Sequence, residues 1–161
     1  MKINKVTALV GDTIKTVQRL TSQLRPEIID DLGLEAAIEW YTSEFSERTA
    51  IEISLNMDKV DGISAGDSLI IFRILQESLT NIARHSRAVK VAIALGIKED
   101  FINLWISDDG IGITEKQRNS KQSFGLISMK ERAASLGGTF DISSENGKGT
   151  LIRLLIPVKN K

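Results

Sequence analysis

The sequence predicts an α/β two-layer sandwich, one mostly antiparallel mixed sheet under a helical layer, with a single bundle helix ahead of it. Three observations predict this. Helical apolar periodicity near residues 34–50, 67–87 and 125–136 is interleaved with short stretches rich in Ile, Val, Leu and aromatic residues. Two pairs of those stretches are joined by turn-length segments at 98–100 and 145–149, which makes hairpins. The first 24 residues carry a heptad seam instead.

In chain order, Ile3, Val6, Val10, Val17, Leu20 and Leu24 alternate three and four apart, with Thr13 in the one gap. This is the seam of a helix lying along another helix, and Leu9 and Ile14 widen it toward a bundle. A helix packed on its own domain is the other reading. Pro26 has no N–H to donate and ends that helix, so residues 1–25 and 26–161 are expected as two modules. Residues 34–50 then read as a helix, and Ile51, Ile53 and Leu55 alternate as a strand. Gly66 and Asp67 mark the start of a long helix over 67–87. Residues 89–97 and 101–107 read as strands around a turn at 98–100. The polar residues 114–123 are long for a connector and suit a mobile lid. A helix over 125–136 stops at Gly137-Gly138, and strands 139–143 and 150–158 close the chain as a hairpin.

Composition removes several classes of function. Lys and Arg number 21 and Asp and Glu 21, so no net charge drives binding to nucleic acid or an anionic membrane surface. The absence of cysteine excludes disulfides, thiolate zinc sites and cysteine nucleophiles, and suits a reducing cytosol. A single histidine excludes any two-histidine metal centre. No apolar run nears the roughly 18 residues that span a bilayer.

Three constellations carry chemistry. Glu77, Asn81, Arg84 and His85 fall in one stripe roughly 100° wide on an otherwise apolar helix. One reading is a solvated face. The other has Asn81 give an oxygen to Mg²⁺ on bound phosphates, Arg84 and His85 meet phosphate oxygens, and Glu77 accept a proton or orient water. Asp108-Asp109-Gly110-Ile111-Gly112 follows a strand, where glycines admit a flat ligand and a carboxylate accepts from an exocyclic amine, although DDG is also an ordinary turn. Phe124-Gly125-Leu126 opens a helix whose free N–H groups suit phosphate, while Gly147, Gly149 and Thr150 belong to the last hairpin.

In this order the segments resemble the histidine-kinase branch of the Bergerat-fold (GHKL) ATPases. FRILQESLTNIARHSRA is similar to the family's N box, DDGIGI to its first glycine box, SFGLISMKERAASLGG to its second and GKGTLIRLLIP to its closing strands. LRPEIIDDLGLEAAIEW resembles the junction between dimerisation bundle and catalytic domain in NarX/DesK-like sensor kinases. The resemblance implies a cytoplasmic, ATP- and Mg²⁺-using protein-histidine kinase module, homodimeric through the bundle, with a NarL-type response regulator as partner. It implies Asn81 as the Mg²⁺ ligand, Glu77 as base or water-orienting group, and Arg84 and His85 at the phosphates. Asp108 would read adenine with support from Thr150, Gly110 and Gly112 would shape the pocket, Gly125 would hinge the lid, and Leu126 would join Gly125 in binding ATP. Asp109 would be a replaceable neighbour, and Lys121, Lys130 and Arg132 lesser phosphate contacts. The family's acceptor histidine lies on the first bundle helix, whereas the only histidine here is His85 in the N box. Residues 1–25 therefore resemble the second bundle helix, and the chain is expected to be a catalytic piece that follows the acceptor. A non-catalytic nucleotide sensor, or a related ATPase or serine kinase, is the alternative.

Overall fold

The structure is a computed structural model that describes residues 27–114, 124–145 and 147–158. The heptad helix, residues 115–123 of the expected lid and Lys121 lie outside the described residues.

Helix α1 (Glu27–Thr49) is two helices joined across a break at Gly33, whose φ of 89° and ψ of 177° are reached readily only by glycine. Its second half begins at Leu34, where the apolar period starts. The first half was not expected, because it lies between the two breakers Pro26 and Gly33. Ile29, only 6% exposed, anchors it in the same core as Leu34, Ala37 and Ile38.

Strand β1 (Glu52–Met57) leads to α2 (Ala65–Asn81). This helix starts two residues before the expected Asp67, because Ser64 caps it: the Ser64 hydroxyl accepts the Asp67 N–H at 3.0 Å. It does not run on as α-helix to residue 87 either. Ile82–Ser86 forms a π-helical turn that ends at Arg87 in left-handed geometry, φ 56°. Strands β2 (Lys90–Lys98) and β3 (Phe101–Asp108) follow, joined by Glu99 and Asp100 at φ 53° and 62°. Positive φ at both central residues is the twist-matched two-residue hairpin turn. Helix α3 (Phe124–Ser135) closes in a Schellman motif, with Gly138 N donating to Ala133 O at 3.0 Å and Gly137 N to Ala134 O at 2.9 Å. Strands β4 (Thr139–Ser144) and β5 (Thr150–Pro157) complete the sheet.

The strand order is β1-β2-β3-β5-β4. Only β1 and β2 are parallel, as a connection through α2 permits, and the other neighbours are antiparallel. One sheet face is apolar through Val91, Ile93, Leu95, Leu104, Ile152 and Leu154, all nearly inaccessible, and α2 and α3 cover it with Ile71, Phe72, Leu75, Leu79 and Met129. Each such side chain contributes about 1.5–3 kcal/mol by leaving water. The opposite face carries the exposed Phe101 and Trp105, with the Arg153 guanidinium 4.2 Å over the Trp105 ring. The expected two-layer mixed sheet is therefore the observed one.

Candidate functional site

The inward alternation of β3, Ile102, Leu104 and Ile106, ends on Asp108. A carboxylate thereby takes a core-facing position at the strand's end, 6% exposed and directly opposite Thr150 in the β3–β5 register. Its Oδ1 accepts the Gly110 N–H at 2.8 Å, and the backbone N–H and hydroxyl of Thr150 also donate to the carboxylate. Burial nevertheless pushes its pKa above the ordinary value, outweighing those bonds. Asp109 behaves oppositely. It is exposed, and the N–H groups of Lys90 and Val89 donating to its carboxylate hold its pKa down. Both bonds are 2.9 Å and tie the start of β2 to the loop, so Asp109 is not the idle neighbour expected.

The glycine loop is held from two sides. Ser86 O accepts the Ile111 N–H at 2.8 Å, which joins the π-helical turn to the loop. A Cβ on Gly110 would run into that same Ser86 carbonyl. Ser86 is itself buried, its hydroxyl donating to Ile82 O at 2.9 Å and accepting from Ala88 N at 3.0 Å. From the other side Ser144 Oγ accepts the Ile113 N–H at 2.7 Å, and Gly147 N donates to Ile111 O at 2.9 Å. Gly112 has φ 79°, and a Cβ there would lie 2.6 Å from Glu145 O and 2.8 Å from Ser144 Oγ. A Cβ on Gly149 would overlap Asp108 O. Asp108, Gly110, Gly112 and Thr150 thus lie together in one cluster.

Glu77, Asn81, Gly125 and Leu126 form a second. Glu77 and Asn81 are half-buried one turn apart on α2. A Cβ on Gly125 would collide with Glu77 Oε1 and lie 3.5 Å from Asn81 Nδ2, so the first turn of α3 rests on both side chains. Leu126 is half-buried against the core. Arg84 and His85 are exposed on the π-helical turn. The wider turn interrupts the 100° step, so the four polar residues do not continue one α-helical stripe. Ser78 Oγ to Met129 Sδ, 3.4 Å, continues the α2–α3 contact, and burial, with the Arg132 charge, lowers the pKa of Arg73. Arg132 is half-buried in the last turn of α3, away from Gly125 at its start, while Lys130 is exposed. Among the described residues no group of three His, Cys, Asp or Glu is placed to hold a metal, and no helix is long and apolar enough to cross a membrane.

Residues with structural roles that sequence reasoning missed are Ser86 and Ser144. No periodic or motif signal marks a lone serine at a helix end or a strand end.

Residues 66–160 match the family of histidine kinase-, DNA gyrase B- and HSP90-like ATPases. The chain belongs to this family. Among the chain's relatives, the sensor histidine kinase LiaS of Bacillus subtilis is 36% identical over 157 residues, 98% of this chain and 43% of LiaS. The oxygen sensor histidine kinase NreB of Staphylococcus carnosus is 28% identical over 155 residues, 96% of this chain and 45% of NreB. The chain thus spans less than half the length of these two relatives. The fold of the chain superposes on the histidine kinase domain of a blue-light activated kinase from Erythrobacter litoralis with a TM-score of 0.68 at 22% identity, over 78% of this chain and 61% of that one. The Acinetobacter baumannii histidine kinase AdeS gives 0.64 at 16% identity, over 96% and 84%. The family carries ATP as the ligand of this domain.

Proposed function

We propose that this chain is the ATP-binding catalytic module of a sensor histidine kinase, transferring the γ-phosphoryl group of ATP to a histidine on a bundle helix for relay to a NarL-type response regulator. The observation that carries the reading is Asp108, a carboxylate buried beside glycines that leave no room for side chains, in a chain whose relatives are sensor kinases. A buried carboxylate accepts from the amino group of adenine and repels the oxo group of guanine. Thr150 supports Asp108, and Gly110 and Gly112 bring backbone close to the base.

Asn81 and Glu77 present an amide oxygen and a carboxylate one turn apart, hard oxygen donors that fit Mg²⁺. When bound, that ion supplies charge neutralisation at phosphate oxygens. Asn81 would hold it, Glu77 would take or orient a proton on the acceptor side, and Arg84 and His85 would meet the phosphates. Gly125 and Leu126 bring the first turn of α3 over Glu77 and Asn81, which keeps water from the transfer. Positioning and charge are most of what such a transfer asks of the protein. Residues 1–25 supply the homodimer contact as the second bundle helix.

The test mixes the purified chain with γ-labelled ATP, Mg²⁺ and a separately purified acceptor-helix polypeptide from a sensor kinase relative. Acid-labile, base-stable label on the acceptor histidine, lost with Asp108→Ala, is expected. ATP binding without transfer to any acceptor would replace the kinase reading by a nucleotide-sensing module.

A further inference from the structure

Ser144, the last residue of β4, stands where three parts of the site meet. Its Oγ accepts from Ile113 N at 2.7 Å, donates to Gly149 O at 2.9 Å and lies 3.4 Å from Thr150 Oγ1. The Ser144 hydroxyl hydrogen can be assigned by counting donors and acceptors. Gly149 O only accepts, so the single Ser144 hydrogen points to it. The Thr150 hydroxyl faces both Asp108 and Ser144, and Ser144, its own hydrogen spent on Gly149 O, meets Thr150 with a lone pair. Asp108 Oδ1 holds the Gly110 N–H at 2.8 Å, and Thr150 adds weaker donors to the same carboxylate. A carboxylate has roughly four acceptor positions, so at least one is left.

We propose that Ser144 is a positioning residue for recognition of the adenine amino group, clamping residues 110–113 to the β4–β5 turn so that a free acceptor position on Asp108 stays open and fixed. The proposal rests on the adenine reading of Asp108 given above. Serine suits the position because its hydroxyl spans a donor and an acceptor at once. Alanine would leave Ile113 N and Gly149 O without their partner, and Gly112 packs too closely to allow a bulky replacement.

Calorimetry on the full chain with ADP and with inosine diphosphate, which has an oxo group where adenine has its amine, tests it. Ser144→Ala should weaken ADP about tenfold and inosine diphosphate by less than about twofold, which narrows the preference between them. Should Ser144→Ala fail to fold, Ser144→Cys keeps the size with a much poorer hydrogen-bonding group and should narrow the same ratio. Equal losses for both nucleotides would mean a merely structural serine and overturn the proposal, as would an unchanged ADP affinity. Asp108→Ala serves as the control. If it removes ADP binding while the Ser144 variants keep the wild-type ratio, Ser144 alone is misassigned. If it leaves ADP affinity intact, the adenine reading falls and this proposal with it.

Discussion

Asp108 carries two opposed demands. Its carboxyl is buried, and its pKa is raised above the ordinary 3.8 chiefly by desolvation. A folded pKa above the unfolded one means the neutral form favours folding. That contribution is fully present below pH 3.8 and is lost as the pH rises through the elevated value. Nucleotide binding runs the other way, because only the carboxylate accepts freely from adenine. Asp108→Asn should therefore melt no lower than wild type at pH 7 without ligand, while losing ATP binding. Calorimetry and thermal unfolding on the same preparation check both, and a large fall in melting temperature would mean that the charge supports the fold. In the wild type, ADP affinity should decline as the pH drops through the raised pKa, and a pH-independent affinity would contradict the assignment. This residue was legible because the apolar alternation of β3 runs straight into it and glycines follow. Asp109, Ser86 and Ser144 were not, since each acts by hydrogen bonds to backbone groups distant in sequence, which no local pattern encodes.

Helix α2 and the first turn of α3 hold the second half of the site. Gly125 approaches Glu77 so closely that a methyl group there displaces the carboxylate, yet the displaced atom is the mobile end of a side chain. Gly125→Ala should thus keep or raise stability by up to about 1 kcal/mol through helix propensity while lowering phosphoryl transfer, and Glu77→Gln should lower transfer without moving the helix. Thermal unfolding and a transfer assay on both variants check this. Wild-type rates for Gly125→Ala would show that Glu77 has no placed role. The elements themselves were legible where apolar period and breakers agree, as in β2, β3, α3 and the final hairpin. Ser64-Ala65-Gly66-Asp67 carries a capping pattern that marks the true start of α2 at Ala65, two residues before Asp67. The π-helical turn was not legible, because its residues read equally well as α-helix and the choice is made by Ser86 bonding to Ile82, Ala88 and Ile111.

At the scale of the whole molecule, Ile29 buries the first half of α1 in the same core as the sheet, which supports the proposed module boundary at Pro26. Residues 27–161 alone should melt within a few degrees of the full chain and be monomeric by ultracentrifugation, whereas residues 1–26 add self-association through their heptad seam. Equal mass distributions for the two would refute the bundle role. The mixed sheet order follows from the same economy, for one crossover helix sets β2 parallel to β1 and hairpins set the rest antiparallel. The chain has one histidine, His85, on the exposed π-helical turn directly after the helix that carries Asn81. In-line transfer needs an acceptor nitrogen about 3–3.5 Å from the γ-phosphorus, opposite the leaving oxygen. A side chain fixed four residues from the proposed Mg²⁺ ligand approaches from the side of the phosphate oxygens, where it serves as a contact and is misaligned for attack. Incubated with γ-labelled ATP and Mg²⁺, the chain should bind nucleotide and remain unlabelled until an acceptor helix is supplied. His85→Gln should then weaken ATP binding modestly and leave the acceptor's capacity for label intact. Acid-labile phosphate on His85 itself would overturn its role as a phosphate contact and make this chain its own acceptor.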